Sequence, residues 1–177
     1  MRYLFLAIAG LVIAFGIRLI IYLGAFKDIA MSEVDRGSMS MVYVDVMGPY
    51  HKVTPSIEKV ESWAKEKGID CKDSFGQYLD NPDIVEEARL KARVGCMVQE
   101  KPMDLPADFH FQTVPAAHYL QVVFDGSPSI GPIKVYPKAL EYIQNKKLKS
   151  QGAVIEIYRV HNEKEVTTTY LFPLENP

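Results

Sequence analysis

Strand, helix, strand, strand occurs twice along this chain, and that repetition limits its possible folds more than any other feature. In the first pass, Met41-Val42-Tyr43-Val44-Asp45-Val46-Met47 reads as a strand ended by Gly48-Pro49. Thr54-Pro55 then opens a helix, with Thr54 as N-cap and Pro55 at its first position. Ile57, Val60 and Ala64 form its apolar stripe, Trp63 lies beside them, and Gly68 ends it. Strands follow around Phe75–Leu79 and Ala92–Val98. A polar linker with Pro102 and Pro106 separates the passes. The second begins with Phe111–Val114 leading into Ala117–Phe124. Its helix runs to about Lys147, with Ala139, Leu140 and Ile143 inward and Pro137 in the first turn or at a kink. The strands Ala153–Val160 and Val166–Phe172 close it, joined by a turn at Asn162-Glu163-Lys164.

The echoes are specific: Tyr43 matches Tyr119, Trp63 matches Tyr142, and Tyr78 matches Tyr158. Each half carries two hairpin-connected strands and one helix, too little to bury its own apolar face. Together the halves predict an α+β fold: two βαββ pseudo-repeats forming an antiparallel sheet with two helices. A pseudo-two-fold arrangement of this kind leaves a cleft between the halves, a common place for ligands.

Ahead of this domain, Tyr3 to Phe26 is apolar except for Arg18. As a helix it spans about 36 Å, enough to cross a bilayer core of about 30 Å with some tilt. Arg18 lies near the far end, where its side chain snorkels to the headgroups. A cleaved signal peptide is the rival reading, but the run is long and Leu23-Gly24-Ala25 follows Arg18 awkwardly for a cleavage site. The expectation is therefore a single-pass anchor at 1–26, a polar connector at 27–40 and a folded domain at 41–177. The domain is expected on the cytoplasmic side, although Arg2 and the amine at one end nearly balance Lys27 and Arg36 at the other.

A formal charge of −2 gives no basic footprint for nucleic acid. His51, His110, His118 and His161 are scattered without metal-ligand spacing, so neither metal nor cofactor is expected. Lys146-Lys147-Leu148-Lys149 reads as a solvated helix end. Cys71 and Cys96 lack CxxC spacing, and their pairing is left open.

One residue breaks its surroundings. Alternation puts Val154, Glu156, Tyr158 and Val160 on one strand face, so a carboxylate lies among apolar and aromatic neighbours. On the strand alone the ordinary explanation is a face open to water. The other is a pocket that holds a cation or a proton-accepting group.

These elements resemble the GyrI-like, effector-binding family of small-molecule-binding domains. Tyr78-Leu79-Asp80-Asn81-Pro82 is similar to the family's Tyr-x-Asp-x-Pro, and Val114-Pro115, Gly126 and Glu156-Ile157-Tyr158 follow its Val-Pro … Gly … Glu-x-Tyr order. The likeness covers roughly Met41 to Leu174. More narrowly, a membrane helix ahead of this domain resembles the testis-expressed endoplasmic-reticulum autophagy receptors of animals, through Met47-Gly48-Pro49-Tyr50, Tyr78-Leu79-Asp80-Asn81-Pro82 and Leu148 to Tyr158. The resemblance implies that Glu156 faces a cleft and meets a cationic, aromatic ligand. Tyr158, Tyr43, Trp63, Tyr78 and Tyr119, with Phe75, are the candidate walls. It also implies two alternatives: an adaptor that recruits protein partners, and a small hydrolase using Glu156 as acid or base.

Overall fold

A computed structural model describes residues 2–162 and 165–175, so Glu163 and Lys164 of the expected turn lie outside the described residues. The apolar segment forms α1 (Arg2–Tyr22). The first half then runs β1 (Ile29–Arg36), β2 (Met39–Met47), α2 (Thr54–Glu66), β3 (Asp73–Tyr78) and β4 (Lys91–Val98). The second runs β5 (His110–Val114), β6 (Ala117–Phe124), α3 (Gly131–Asn145), β7 (Val154–Asn162) and β8 (Glu165–Pro173). All eight strands pair antiparallel in one sheet of order β1-β6-β8-β7-β3-β4-β2-β5. The α+β fold and its internal duplication are as expected.

The connector at 27–40 is corrected. Ile29–Arg36 is a strand, polar because it lies at the sheet edge and leaves Ala30, Met31, Ser32 and Glu33 exposed. The repeat unit is therefore two strands, a helix and two strands. The leading strands are also exchanged between halves: β1 pairs with β6, and β5 pairs with β2.

That exchange forces the sheet to curl. β1 and β2 stand six places apart in strand order, about 29 Å in a flat sheet at roughly 4.8 Å per strand. Yet only Gly37 and Ser38 join them, a reach of about 11 Å from Arg36 to Met39. The same holds for β5 and β6, joined by Pro115 and Ala116. Register is continuous across both links: Arg36 faces Ala117, and three residues forward from Arg36 and three back from Ala117, Met39 faces Val114. So β1–β2 and β5–β6 are two bent strands of one long ribbon, which closes the sheet on itself.

The closed sheet has two faces. Inside lie Met39, Met41, Tyr43, Phe75, Tyr119, Ile155, Ile157 and Leu171, all buried. Outside, α2 covers Val42, Val44, Val94 and Cys96, while α3 covers Leu120, Val122, Phe124, Tyr170 and Phe172. Two helix details differ from expectation. Val53, not Thr54, holds the N-cap place of α2, because the 3-10 turn Tyr50–Lys52 feeds directly into helical backbone. In α3 the buried stripe is Val135, Ala139 and Ile143, and Leu140 is exposed because it stands about 100° round the helix from Ala139. Pro137 lies inside α3 rather than in its first turn.

Cys71 and Cys96 are bonded, with Cα atoms 5.4 Å apart, and tie the approach to β3 onto β4 beneath α2. The bond closes a loop of 25 residues, which by unfolded-chain entropy contributes about 3 kcal/mol. Urea unfolding with and without reductant should show that loss, and an unchanged midpoint would contradict it.

α1 stands apart from both cores. Its window Tyr3–Tyr22 is long and apolar enough to cross a membrane, and none of it is buried in the fold; a signal sequence meets the same description.

Candidate functional site

Glu156 lies on the helix-side face of β7, where the halves meet. β7 pairs with β3 across that seam, with Gly76 directly opposite Glu156, and Tyr170 of β8 opposite on the other side. The residue is only 3% exposed, so the open-face explanation fails. Two phenols donate to its carboxylate: Tyr136 to Oε1 at 2.8 Å and Tyr158 to Oε2 at 3.0 Å. Tyr158 has one hydroxyl proton and spends it on Glu156. Its 2.8 Å bond to Tyr78 must therefore use the Tyr78 proton. The relay runs Tyr78 to Tyr158 to Glu156, with Tyr136 closing from the other side.

Each tyrosine is set by its own half. Tyr136 projects from α3 and rests edge-on against Tyr170 and Phe172, with centroids 6.1 and 5.2 Å away. Tyr78 ends β3, and its ring folds back over Gly76, where a Cβ would come within 2.9 Å of it. Tyr50 packs edge-on against Tyr78 at 4.7 Å, and its hydroxyl proton is shared between the carbonyls of Asp80 and Lys91, at 2.9 and 3.0 Å. Asp80 in turn accepts from the Lys91 amide at 2.7 Å. The Tyr-x-Asp-x-Pro segment is thus a bracket that fixes the Tyr78 ring.

The electrostatics follow from burial. Loss of water raises the Glu156 carboxyl to about 7, against the lowering effect of the bonds from Tyr136 and Tyr158. Burial, then the nearby carboxylate, pushes Tyr78, Tyr136 and Tyr158 upward, so all three stay neutral donors. No ion pair reaches Glu156 among the described residues. The site can therefore hold a proton or a cation near neutral pH, and among the described residues no cluster could hold a metal ion.

Of the residues expected here, the structure brings together Glu156, Tyr158 and Tyr78. Tyr43, Tyr119 and Phe75 are buried on the inner face of the sheet, away from Glu156. Trp63 is turned to Phe109, 5.1 Å away beside the edge strand β5. Sequence reading missed Tyr136, Tyr50 and Tyr170. Tyrosine rings pack over the seam, and two cavities, of 640 and 520 Å³, are lined by other residues.

The family model described as "GyrI-like small molecule binding domain" matches residues 30–175. The chain belongs to the GyrI-like family. This GyrI-like chain is 35% identical over 72 residues to a DNA gyrase inhibitor of Pectobacterium carotovorum subsp. carotovorum, covering 40% of the chain and 47% of the relative. It spans about half the length of the curated relatives it matches. Among solved structures, the EcmrR C-terminal domain superposes with TM-score 0.62 at 19% identity, over 85% of this chain and 98% of that one. SAV2435 bound to tetraphenylphosphonium superposes with TM-score 0.54 at 11% identity, over 83% and 94%. At these identities the structural likeness speaks for the GyrI-like fold alone.

Proposed function

We propose that this GyrI-like domain is held at a membrane by α1 and takes a lipophilic aromatic cation against the ionised carboxylate of Glu156. One observation carries the reading: a carboxylate 3% exposed, given two phenolic hydrogen bonds and no cationic partner among the described residues. Burying such a charge unpaired is costly. A cation entering the same low-dielectric space recovers much of that cost, and Tyr78, Tyr136 and Tyr158 offer ring faces to it. These rings are partly exposed while Glu156 is not, so ligand entry needs phenol rotation rather than rearrangement of the sheet. Tetraphenylphosphonium, held by the similarly folded SAV2435, is a cation of this kind.

The order of apolar helix then GyrI-like domain supports grouping the chain with membrane-anchored members. The Cys71–Cys96 bond favours an oxidising compartment for the domain, against the cytoplasmic side expected from sequence. Alkylation of the full chain in intact membranes, before and after reduction, tests that side.

Binding of tetraphenylphosphonium to the full chain in detergent, by calorimetry, tests the reading. Affinity should rise with pH as the group near 7 ionises, by about thirtyfold between pH 5.5 and 8. Glu156→Gln should lose at least about tenfold at pH 8 and the pH dependence with it. Equal binding by the variant would remove Glu156 from the ligand site.

A further inference from the structure

The exit from α1 is fastened to the second half. The Ser127 amide donates to the Leu23 carbonyl at 3.0 Å, and the Lys134 ammonium donates to the carbonyls of Ala25, at 2.8 Å, and Lys27. Gly24, at φ +85°, sits so close to the loop that a Cβ would meet the Gly126 Cα at 3.2 Å. Beside this joint opens a cavity of 520 Å³ lined by Tyr22, Lys27, Asp125, Ser127, His161 and Glu165, with Thr167 behind them. It shares no lining residue with the Glu156 relay.

Its depth follows from α1. The 20-residue apolar window ends at Tyr22, and at about 1.5 Å per residue it fills the roughly 30 Å hydrocarbon layer. A cavity whose wall includes Tyr22 and Leu23 therefore lies level with the phospholipid headgroups. Its lining carries both signs. Lys27 offers an ammonium and Ser127 a hydroxyl to a phosphate, while Asp125 and Glu165 offer carboxylates to an amine. The acids are held in place: Thr167 donates to Asp125 at 2.6 Å and accepts from His161 Nε2 at 3.0 Å, and the Asn162 amide donates to Glu165 at 2.7 Å. Among the described lining residues, two carboxylates against one lysine disfavour a purely anionic headgroup. Carboxylate acceptors with a single aromatic, Tyr22, suit an N–H-bearing ammonium better than a quaternary one, which is recognised by aromatic cages.

We propose that this cavity seats a zwitterionic phospholipid headgroup carrying a phosphate and a primary ammonium. The proposal rests on α1 crossing the membrane, and a separate readout distinguishes the two. Release of the full chain from membranes by alkaline carbonate would refute the anchor; retention with no lipid preference would refute the headgroup site alone.

The test is native mass spectrometry of the detergent-purified full chain with phosphatidylethanolamine or phosphatidylglycerol added, and soluble phosphoethanolamine as competitor. One phosphatidylethanolamine should be retained per chain, with a preference of about tenfold over phosphatidylglycerol. The double variant Asp125→Asn, Glu165→Gln should lose that preference, whereas Lys27→Gln, which leaves the acids untouched, should lower retention of both lipids through their shared phosphate. Thermal melting of each variant checks its fold. Equal retention of phosphatidylglycerol, an unchanged preference in the double variant, or undiminished retention in Lys27→Gln overturns the proposal. Displacement of lipid by soluble phosphoethanolamine overturns it too, by making the free amine phosphate the ligand.

Discussion

Glu156→Gln should make the protein more stable at pH 8 and remove most of its loss of stability between pH 5 and 8. The Glu156 carboxyl titrates near 7 when folded, against an ordinary 4.5. Between those values the folded chain holds a proton that the unfolded chain has released. Stability is therefore full below about pH 4.5 and declines as pH rises through about 7. The complete loss is about 3 kcal/mol, most of it between pH 5 and 8. Glutamine carries no charge to desolvate. It can still accept from Tyr136 at Oε1 and donate from Nε2 to the Tyr158 oxygen, which turns the Tyr158 proton toward Tyr78 and keeps every bond while reversing those two links. Urea unfolding of both proteins at the two pH values gives the comparison, and groups such as His118 cancel in the difference. Parallel pH profiles would mean that Glu156 is ionised and solvated when folded, contrary to its burial.

Phe75→Ala should cost about 4 kcal/mol, or roughly 12 °C in melting temperature. Phe75 has no exposed surface and fills the interior of the curled sheet with Tyr43, Tyr119, Ile155 and Leu171. Its neighbour Gly76 faces the opposite way, under the Tyr78 ring. The milder Phe75→Leu, which keeps most of the volume, should leave cation binding at pH 8 unchanged while still lowering the melting temperature. A selective loss of binding in Phe75→Leu would show that the inner face takes part in ligand recognition after all.

Alternation along a strand makes Phe75 and Gly76, or Tyr43 and Val44, face opposite ways; which of the two faces the helices cover is not written in the strand itself. That ambiguity sent Tyr43 and Tyr119 to the wrong face, although their equivalence under the repeat was legible and both occupy matching places on β2 and β6. The place of Tyr78 and Tyr158 beside Glu156 was legible because the repeat pairs them and Tyr158 shares the Glu156 face. Tyr136 was missed because a helical phenol reaches the sheet only through tertiary packing, here over Tyr170 and Phe172. The strand β1 was missed for a related reason: an edge strand with one wet face has the composition of a linker. A usable signal existed in its constant pairing register with β6 that continues into β2 and β5, but that signal requires knowing the partner.

The exchanged leading strands have a consequence for cutting the chain. A nick in the segment Lys101–Asp108, between β4 and β5, removes no strand from the sheet, because β1–β6, β2–β5 and β3–β7 all pair across the cut. The two fragments should co-elute as a non-covalent heterodimer, and two matching halves from separate chains would assemble by the same clasp. In that sense the protein is a dimer written on one polypeptide, with Glu156 standing where the two members touch.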